Sequence, residues 1–315
     1  MDVPEALIDY LADIKHLAKQ TQVVYRQKLT VFSEWCTVQG VSLEQVNNRK
    51  VQAFLDWLKA NHTSHKTGVD EISSRTANNY VTNIRTLLHW CLDDEEYSQY
   101  VKLQVVRGIK MPRTEQTIKQ VFTDEEIEAL FAAAQKNPMH QYKLRDTAIL
   151  ALLLDCGLRA EELRTLTVGN VTLARDVQED SYVKVMGKGR KEREIPLGDR
   201  ARRALNRYMR QYRKGVKGSE PVFLSRYGGQ MSHEALKDVL LRLRDGSTLL
   251  KDVQINPHKF RHSFAARYMA NGGDAWDLSR IMGHSSVAIT EGYLKSLSAK
   301  SVRTRKKHLS VLDHL

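Results

Sequence analysis

The sequence predicts a mainly α-helical protein with a small β-hairpin or sheet, an α+β fold in two domains. Three observations lead there. Apolar residues recur at helical spacing through the first hundred residues, a basic stretch containing Gly and Pro then breaks that pattern, and the segment "SYVKVMGKGRKEREIPL" alternates with the two-residue period of strands. At 315 residues and 42% hydrophobic composition, the chain is long enough for two compact domains with a sizeable core.

The first helix covers the opening stretch around Ala6 to Leu17. After Thr21, read as an N-cap, Tyr25, Leu29, Phe32 and Cys36 recur at helical spacing; Val51, Phe54, Leu55 and Leu58 follow Asn48; Tyr80, Ile84, Leu87, Leu88 and Cys91 follow Thr76. These segments make a four-helix domain over residues 1–104. Its fourth helix carries Arg75 and Arg85 at positions the core does not need, where they suit phosphate contacts or an ordinary solvated surface. From Lys102 to Lys119 the periodicity fails, and "VVRGIKMPRTEQTIK" reads as an exposed basic interdomain strap. That makes residues 105–121 a linker, with Lys110 and Arg113 among its cations.

The second domain is expected over residues 122–315. Thr123 with Glu126 three positions on forms a capping box, and Phe122 with Ile127 a hydrophobic staple across it. "RDTAILALLLDCGLRAEELRTLTV" is a buried helix ending at Gly157, followed by a short helix whose first turn holds Arg159 and Glu162. An Arg at the unfavourable end of the helix dipole points to an anionic ligand or to an ion pair with Glu162. The alternating segment runs out through Val183 and Val185, turns at Gly187, Lys188 and Gly189, and returns through Ile195 and Leu197. Its basic tip is either a solvated turn or a ribbon able to enter a DNA groove.

Asn256 and Pro257 are good N-cap and N1 residues for a helix running to about Asn271, where Gly272 and Gly273 end it. His258 and Arg261 then share a face in the first turn, close to free backbone N–H groups, which is an anion-binding geometry. A histidine bonded into the protein is the competing reading. No acidic residue or Cys stands at ligand spacing, so no metal is expected. In "RIMGHSSVAITEGYLK" a helix ends at Gly283, His284 falls in the break, and Tyr293 lies about two turns into the next helix.

Forty-nine Lys and Arg against 37 Asp and Glu leave a formal charge of +12, which favours a polyanionic partner, either nucleic acid or an anionic membrane surface. No run of about 18 apolar residues is present, and the chain opens on acidic residues rather than a basic segment leading into an apolar one. A soluble, unexported protein is expected. Cys36, Cys91 and Cys156 lie far apart in apolar helical patterns, as reduced buried thiols do.

"CGLRAEEL", "GKGRKEREIPL", "HKFRHSF" and "GHSSVAITEGY", in this order and spacing, resemble the tyrosine recombinases, also called phage-type integrases. The resemblance is strong from about residue 122 and weaker before it. It implies a SAM-like core-binding domain followed by a catalytic domain, with Arg159, Lys188, His258, Arg261, His284 and Tyr293 as the active site, Glu162 as a supporting residue and no cofactor. Phe260 where Leu is commoner, the acidic "DVQED", and Leu294-Lys295 after the tyrosine are the departures. They leave the catalytic set intact and the subfamily open between Xer-like and transposon-type members. With helices beginning almost at Met1, the expectation is the shorter two-domain kind, without an arm-site domain.

The implied chemistry is site-specific recombination: strands are cleaved and rejoined through a 3′-phosphotyrosyl intermediate and a Holliday junction, to integrate, excise, transpose or resolve DNA. A phenol, with a pKa of about 10, leaves more readily than an alkyl alcohol, so the linkage is reversible. Arg159 and Arg261 would stabilise charge on the non-bridging oxygens and His284 would add a bond. Lys188 would protonate the leaving 5′-oxygen and His258 would accept the tyrosine proton, with Lys184 and Lys191 as alternatives for the acid. Arg75, Arg85, Lys110, Arg113 and Lys191 are the candidate DNA contacts.

The expected partners are double-stranded DNA with inverted-repeat core sites, further copies of the chain in a tetramer on two sites, and accessory DNA-bending proteins, all on the cytoplasmic nucleoid and with no membrane. The tail "KSVRTRKKHLSVLDHL" offers Leu309, Val311, Leu312 and Leu315 for a contact between protomers. Relaxation of supercoils by a type IB topoisomerase and DNA binding by an inactive accessory protein are the rival readings. Synapsis of two sites separates recombination from the first, and the complete set of six residues argues against the second.

Overall fold

The computed structural model describes residues 1–61, 72–113, 120–174, 180–187 and 192–283, and the chain divides into two compact units, Met1–Thr117 and Ile118–Leu315. No helix among the described residues is long and apolar enough to cross a membrane.

Four long helices build the first unit: α1 (Val3–Asp13), α2 (Lys19–Val38), α3 (Asn48–Asn61) and α4 (Ser74–Asp93). Three helix starts differ from expectation. Thr21 lies inside the first turn of α2, which begins after Ala18 with no side-chain cap. Asn47, not Asn48, caps α3, its Oδ1 accepting the N–H groups of Arg49 and Lys50 at 3.0 and 3.1 Å. Ser73 caps α4, its hydroxyl accepting the N–H of Thr76 at 3.1 Å. In each case the true boundary lies upstream, because a first turn without apolar residues is invisible to periodicity.

The core of this unit centres on Phe54, whose ring lies 5.1 Å from Phe32, 5.6 Å from Trp35 and 5.6 Å from Tyr80 between centroids. Edge-to-face pairs of this kind add about 0.5–1.5 kcal/mol each beyond their area burial. Cys36 and Cys91 are buried free thiols in the same core, and loss of hydration pushes both up to about 12.

The strap reading of the linker needs correction at its N-terminal end. Leu103–Gly108 form a fifth helix, α5, and Val106 and Ile109 are buried in the core of the first unit. These two apolar anchors, three residues apart, were too few to show as a period. Lys110 and Arg113 themselves are exposed.

In the second unit, α6 (Asp124–Gln135) begins with the expected capping box. The Thr123 hydroxyl accepts the N–H of Glu126 at 3.2 Å, and the Glu126 carboxylate accepts that of Thr123 at 3.1 Å. Phe122 and Ile127 both join the core beneath it. Helix α7 (His140–Asp155) is buried on every side from Ala148 to Leu153, which is why its sequence reads as continuously apolar.

After α8 (Ala160–Arg164) come three antiparallel strands in the order β1 (Val171–Thr172), β2 (Tyr182–Met186) and β3 (Glu192–Pro196). Val183 faces Ile195 and Val185 faces Arg193 across the β2–β3 pair. Val183, Val185 and Ile195 are buried, so Arg193 shares their inward face, whereas Lys184 and Glu194 pair at 3.4 Å on the other. Helices α9 (Asp199–Tyr212), α10 (His233–Asp245), α11 (Pro257–Ala270) and α12 (Ala275–Met282) complete the described fold. Helices α11 and α12 share a small core of Phe264, Ala265, Met269, Leu278 and Met282.

Candidate active site

Glycine at 157 decides where two of the predicted residues meet. The chain leaves α7 through Gly157 at φ +58°, a left-handed turn that disfavours any side chain. A Cβ there would also lie 2.3 Å from Cδ1 of Phe264 on α11, so a side chain would drive the two segments apart. With glycine, Nη1 of the buried Arg261 donates to the Gly157 carbonyl at 2.8 Å. The motif after α7 and the motif opening α11 are thereby joined.

Arg159 caps the short helix α8 in an unusual way. A guanidinium has no acceptor for backbone N–H groups, so the Glu162 side chain turns back instead. Its Oε2 accepts the Arg159 N–H at 2.9 Å and its Oε1 accepts Nη1 of the same residue at 2.8 Å. The ion pair anticipated from spacing is therefore formed.

Glu162 holds a second cation that was not anticipated. Arg193, reaching in from β3, donates Nη1 to Oε1 and Nη2 to Oε2, each at 2.8 Å, in a two-pronged pair. Burial alone would raise the Glu162 carboxyl; the bonds from Arg193 and Arg159 outweigh it and hold the group below the usual carboxylate range.

The same three arginines converge on the end of α12. Arg193 Nε donates to the carbonyl of Ile281 at 2.6 Å, Arg261 Nη2 to that of Met282 at 2.5 Å, and Arg159 Nη2 to that of Gly283 at 2.8 Å. These carbonyls lie at a helix C-terminus, where the backbone dipole favours positive charge. Gly283 terminates the helix at φ +60°, as the sequence predicts, and the next residue is His284.

Of the predicted site, the structure brings together Arg159, Glu162 and Arg261. His258 is exposed at the start of α11, three residues before Arg261, while Asn256 caps that helix by accepting the Lys259 N–H at 2.9 Å. His262 is half-buried. Lys188, Lys191, His284 and Tyr293 lie outside the described residues, as does the tail from Leu309 to Leu315. Lys184, an alternative acid, is engaged with Glu194 on the outward face of the hairpin. In the first unit Arg75 is exposed and Arg85 half-buried, both on α4.

Arg193 is the residue the sequence reading missed. A signal was present: Arg193, Ile195 and Leu197 share one parity, so a strand that buries Ile195 must also turn Arg193 inward. A charge on a buried face needs a partner, and Glu162 is that partner.

Residues 120–300 match the phage integrase family. The chain belongs to the phage integrase family. Residues 5–73 match the phage integrase N-terminal SAM-like domain, in agreement with the helical first unit. This integrase-family chain is 29% identical over 286 residues to the tyrosine recombinase XerC of Actinobacillus pleuropneumoniae serotype 7, covering 90% of this chain and 86% of the relative. It is likewise 29% identical over 311 residues to the tyrosine recombinase XerD of Pseudomonas aeruginosa, covering 96% of each.

Among solved structures, it shares its fold with the XerH site-specific recombinase bound to a palindromic difH substrate in a post-cleavage complex. That match has a TM-score of 0.74 at 18% identity, covering 98% of this chain and 84% of the other. The Tn1549 transposon integrase in complex with transposon right end DNA gives a TM-score of 0.70 at 18% identity, covering 99% and 100%.

Proposed function

We propose that this phage integrase family member, a tyrosine site-specific recombinase, cleaves duplex DNA with Tyr293 and rejoins it to a second strand. In the cleavage step the Tyr293 oxygen bonds to the scissile phosphorus and the bond from phosphorus to the 5′-oxygen breaks. The tyrosine proton passes to His258, and Lys188 gives one to the departing 5′-oxygen. Arg159 and Arg261 neutralise the non-bridging oxygens at the five-coordinate stage, with a further bond from His284. The ester bond energy is kept in the phosphotyrosine, so the reverse attack by another 5′-hydroxyl needs no external energy source.

One observation carries this reading. Two arginines from separate motifs, on α8 and α11, donate to the adjacent carbonyls of Gly283 and Met282, immediately before His284. Arginine is suited to such a place because its planar fork keeps its charge at any physiological pH and spreads it over a phosphate.

The natural partners on this reading are DNA sites made of inverted repeats, engaged by the SAM-like unit and the catalytic unit of each protomer. Four protomers on two sites would perform the exchange, assisted by DNA-bending proteins, on the nucleoid in the cytoplasm. The net charge of +12 supports a phosphate-dominated footprint. The test is a nicked duplex whose short 5′-hydroxyl fragment diffuses away after cleavage. The expected result is a protein–DNA adduct stable on a denaturing gel, with its link at Tyr293; DNA binding without any adduct would refute the reading.

A further inference from the structure

We infer that Arg193 is a positioning residue for strand cleavage, fixing the end of α12 against the Arg159–Glu162 pair so that the segment beginning at His284 starts from a defined place. This rests on the reading of Tyr293 as the nucleophile. The guanidinium spends its rigid fork on two targets at once: both Glu162 oxygens at 2.8 Å and the Ile281 carbonyl at 2.6 Å. It also lies flat against Gly283, where an added Cβ would meet its Nη1 at 3.1 Å and its Cζ at 3.2 Å. Position 193 therefore gauges the distance between α8 and the last turn of α12 from one planar group.

Simple packing would not require this. The inward face of β3 beside Val185 would accept an aliphatic residue, and a buried ion pair is often no more stabilising than a well-packed apolar one. What a hydrocarbon lacks is direction. The other two arginines on this helix end are the proposed phosphate ligands, so a scissile phosphate competes with the carbonyls of Met282 and Gly283 for their donors. Arg193 stands apart from that competition, since its side chain is 12% exposed and both its Nη groups are committed to Glu162. It keeps hold of Ile281 while the neighbouring bonds are redirected to DNA.

The experiment compares Arg193→Gln and Arg193→Lys with the wild-type chain in single-turnover cleavage at saturating DNA. Two nicked substrates are used, one ordinary and one with sulfur in place of the bridging 5′-oxygen. Both variants are expected to cleave about 10- to 100-fold more slowly, the scale of a small misplacement of reacting groups. DNA affinity should stay within about twofold, because Arg193 faces protein and not solvent. Lysine should retain the thermal stability, since it keeps a positive charge beside Glu162, yet fail to restore the rate, since a point charge cannot serve carboxylate and carbonyl together. Sulfur should not rescue either variant, because the defect lies in placement and not in protonation of the leaving group.

Wild-type cleavage by Arg193→Lys would overturn the inference by showing that charge alone suffices. Recovery on the sulfur substrate would also overturn it, by routing the effect through the leaving group, and weakened DNA binding would make Arg193 a DNA contact instead. If Arg193→Gln does not fold, the lysine variant carries the comparison. Absence of any adduct with the wild-type chain would condemn the nucleophile assignment and is read separately.

Discussion

The two units bury different things. Among the described residues, the first closes on aromatic and aliphatic side chains and buries no charged group, only Ser33 and Asn83 among polar ones. The second buries Arg145, Asp146, Glu162, Arg213, Lys259 and Arg261. Burying an ion without a partner is prohibitive, so each such group commits a neighbour, and the ion pairs then fix geometry as apolar contacts do not. The first unit is a scaffold that presents a surface. The second fixes its interior with directional bonds, and in the cluster proposed to meet a phosphate Glu162 joins Arg159 on one side to Arg193 on the other.

Experiments that break or sharpen this contrast range from complete loss of cleavage to none. Tyr293→Phe removes one hydroxyl and is expected to abolish the covalent adduct while leaving DNA affinity unchanged, as read on a denaturing gel and by gel shift. An adduct of wild-type yield would mean that another residue is the nucleophile.

Lys188→Ala should slow cleavage of an ordinary site by about 10²–10⁴-fold, the usual worth of general acid catalysis. With sulfur at the bridging 5′-position the leaving group resembles a thiol, of pKa about 8.5, and needs no acid, so the variant should approach the wild-type rate. Arg159→Ala and Arg261→Ala should gain far less from sulfur, because charge still develops on the non-bridging oxygens. Equal slowness of Lys188→Ala on both substrates would move the proton donor elsewhere.

The third experiment sets the two cores against each other. Glu162→Gln leaves the half-buried Arg193 without a counter-charge, at a cost below the roughly 3–5 kcal/mol typical of a fully buried broken pair at neutral pH. The carboxyl is held below its unfolded value, so its contribution is complete above roughly pH 4.3 and is lost as pH falls through the depressed value. The gap between wild type and variant in urea denaturation should therefore shrink with acid. Phe54→Ala, at the centre of the aromatic cluster, should cost about 3–5 kcal/mol with no comparable closing of the gap. A pH-independent gap for Glu162→Gln would show that its ion pairs contribute nothing to stability.

The smallest effect is expected from Arg75→Ala and Arg85→Ala, on the surface of α4. Neither should alter the cleavage rate at saturating DNA. Each should lower the log–log salt slope of binding by about 0.9 if its side chain meets a phosphate, and an unchanged slope would return that arginine to the solvated surface.

The amino-acid sequence by itself determined the four long helices of the first unit, α6, α7, α8, α11 and α12 in the second, the paired strands of the hairpin, the capping box at Thr123 and the order of the four motifs. Each of these is a local pattern of spacing or of turn residues, and local patterns survive without knowledge of what packs against them. Helix starts at Ala18, Asn47 and Ser73 escaped because their first turns carry no apolar period, and α5 because its two anchors, Val106 and Ile109, are too few to make one. Only the tertiary structure decided that Arg159, Arg193 and Arg261 would meet on three successive carbonyls of one helix end. The physical reason is that an arginine's role is set by its acceptors. Those of Arg193, the Glu162 carboxylate and the Ile281 carbonyl, lie far from it in sequence and near it only once β3, α8 and α12 have packed.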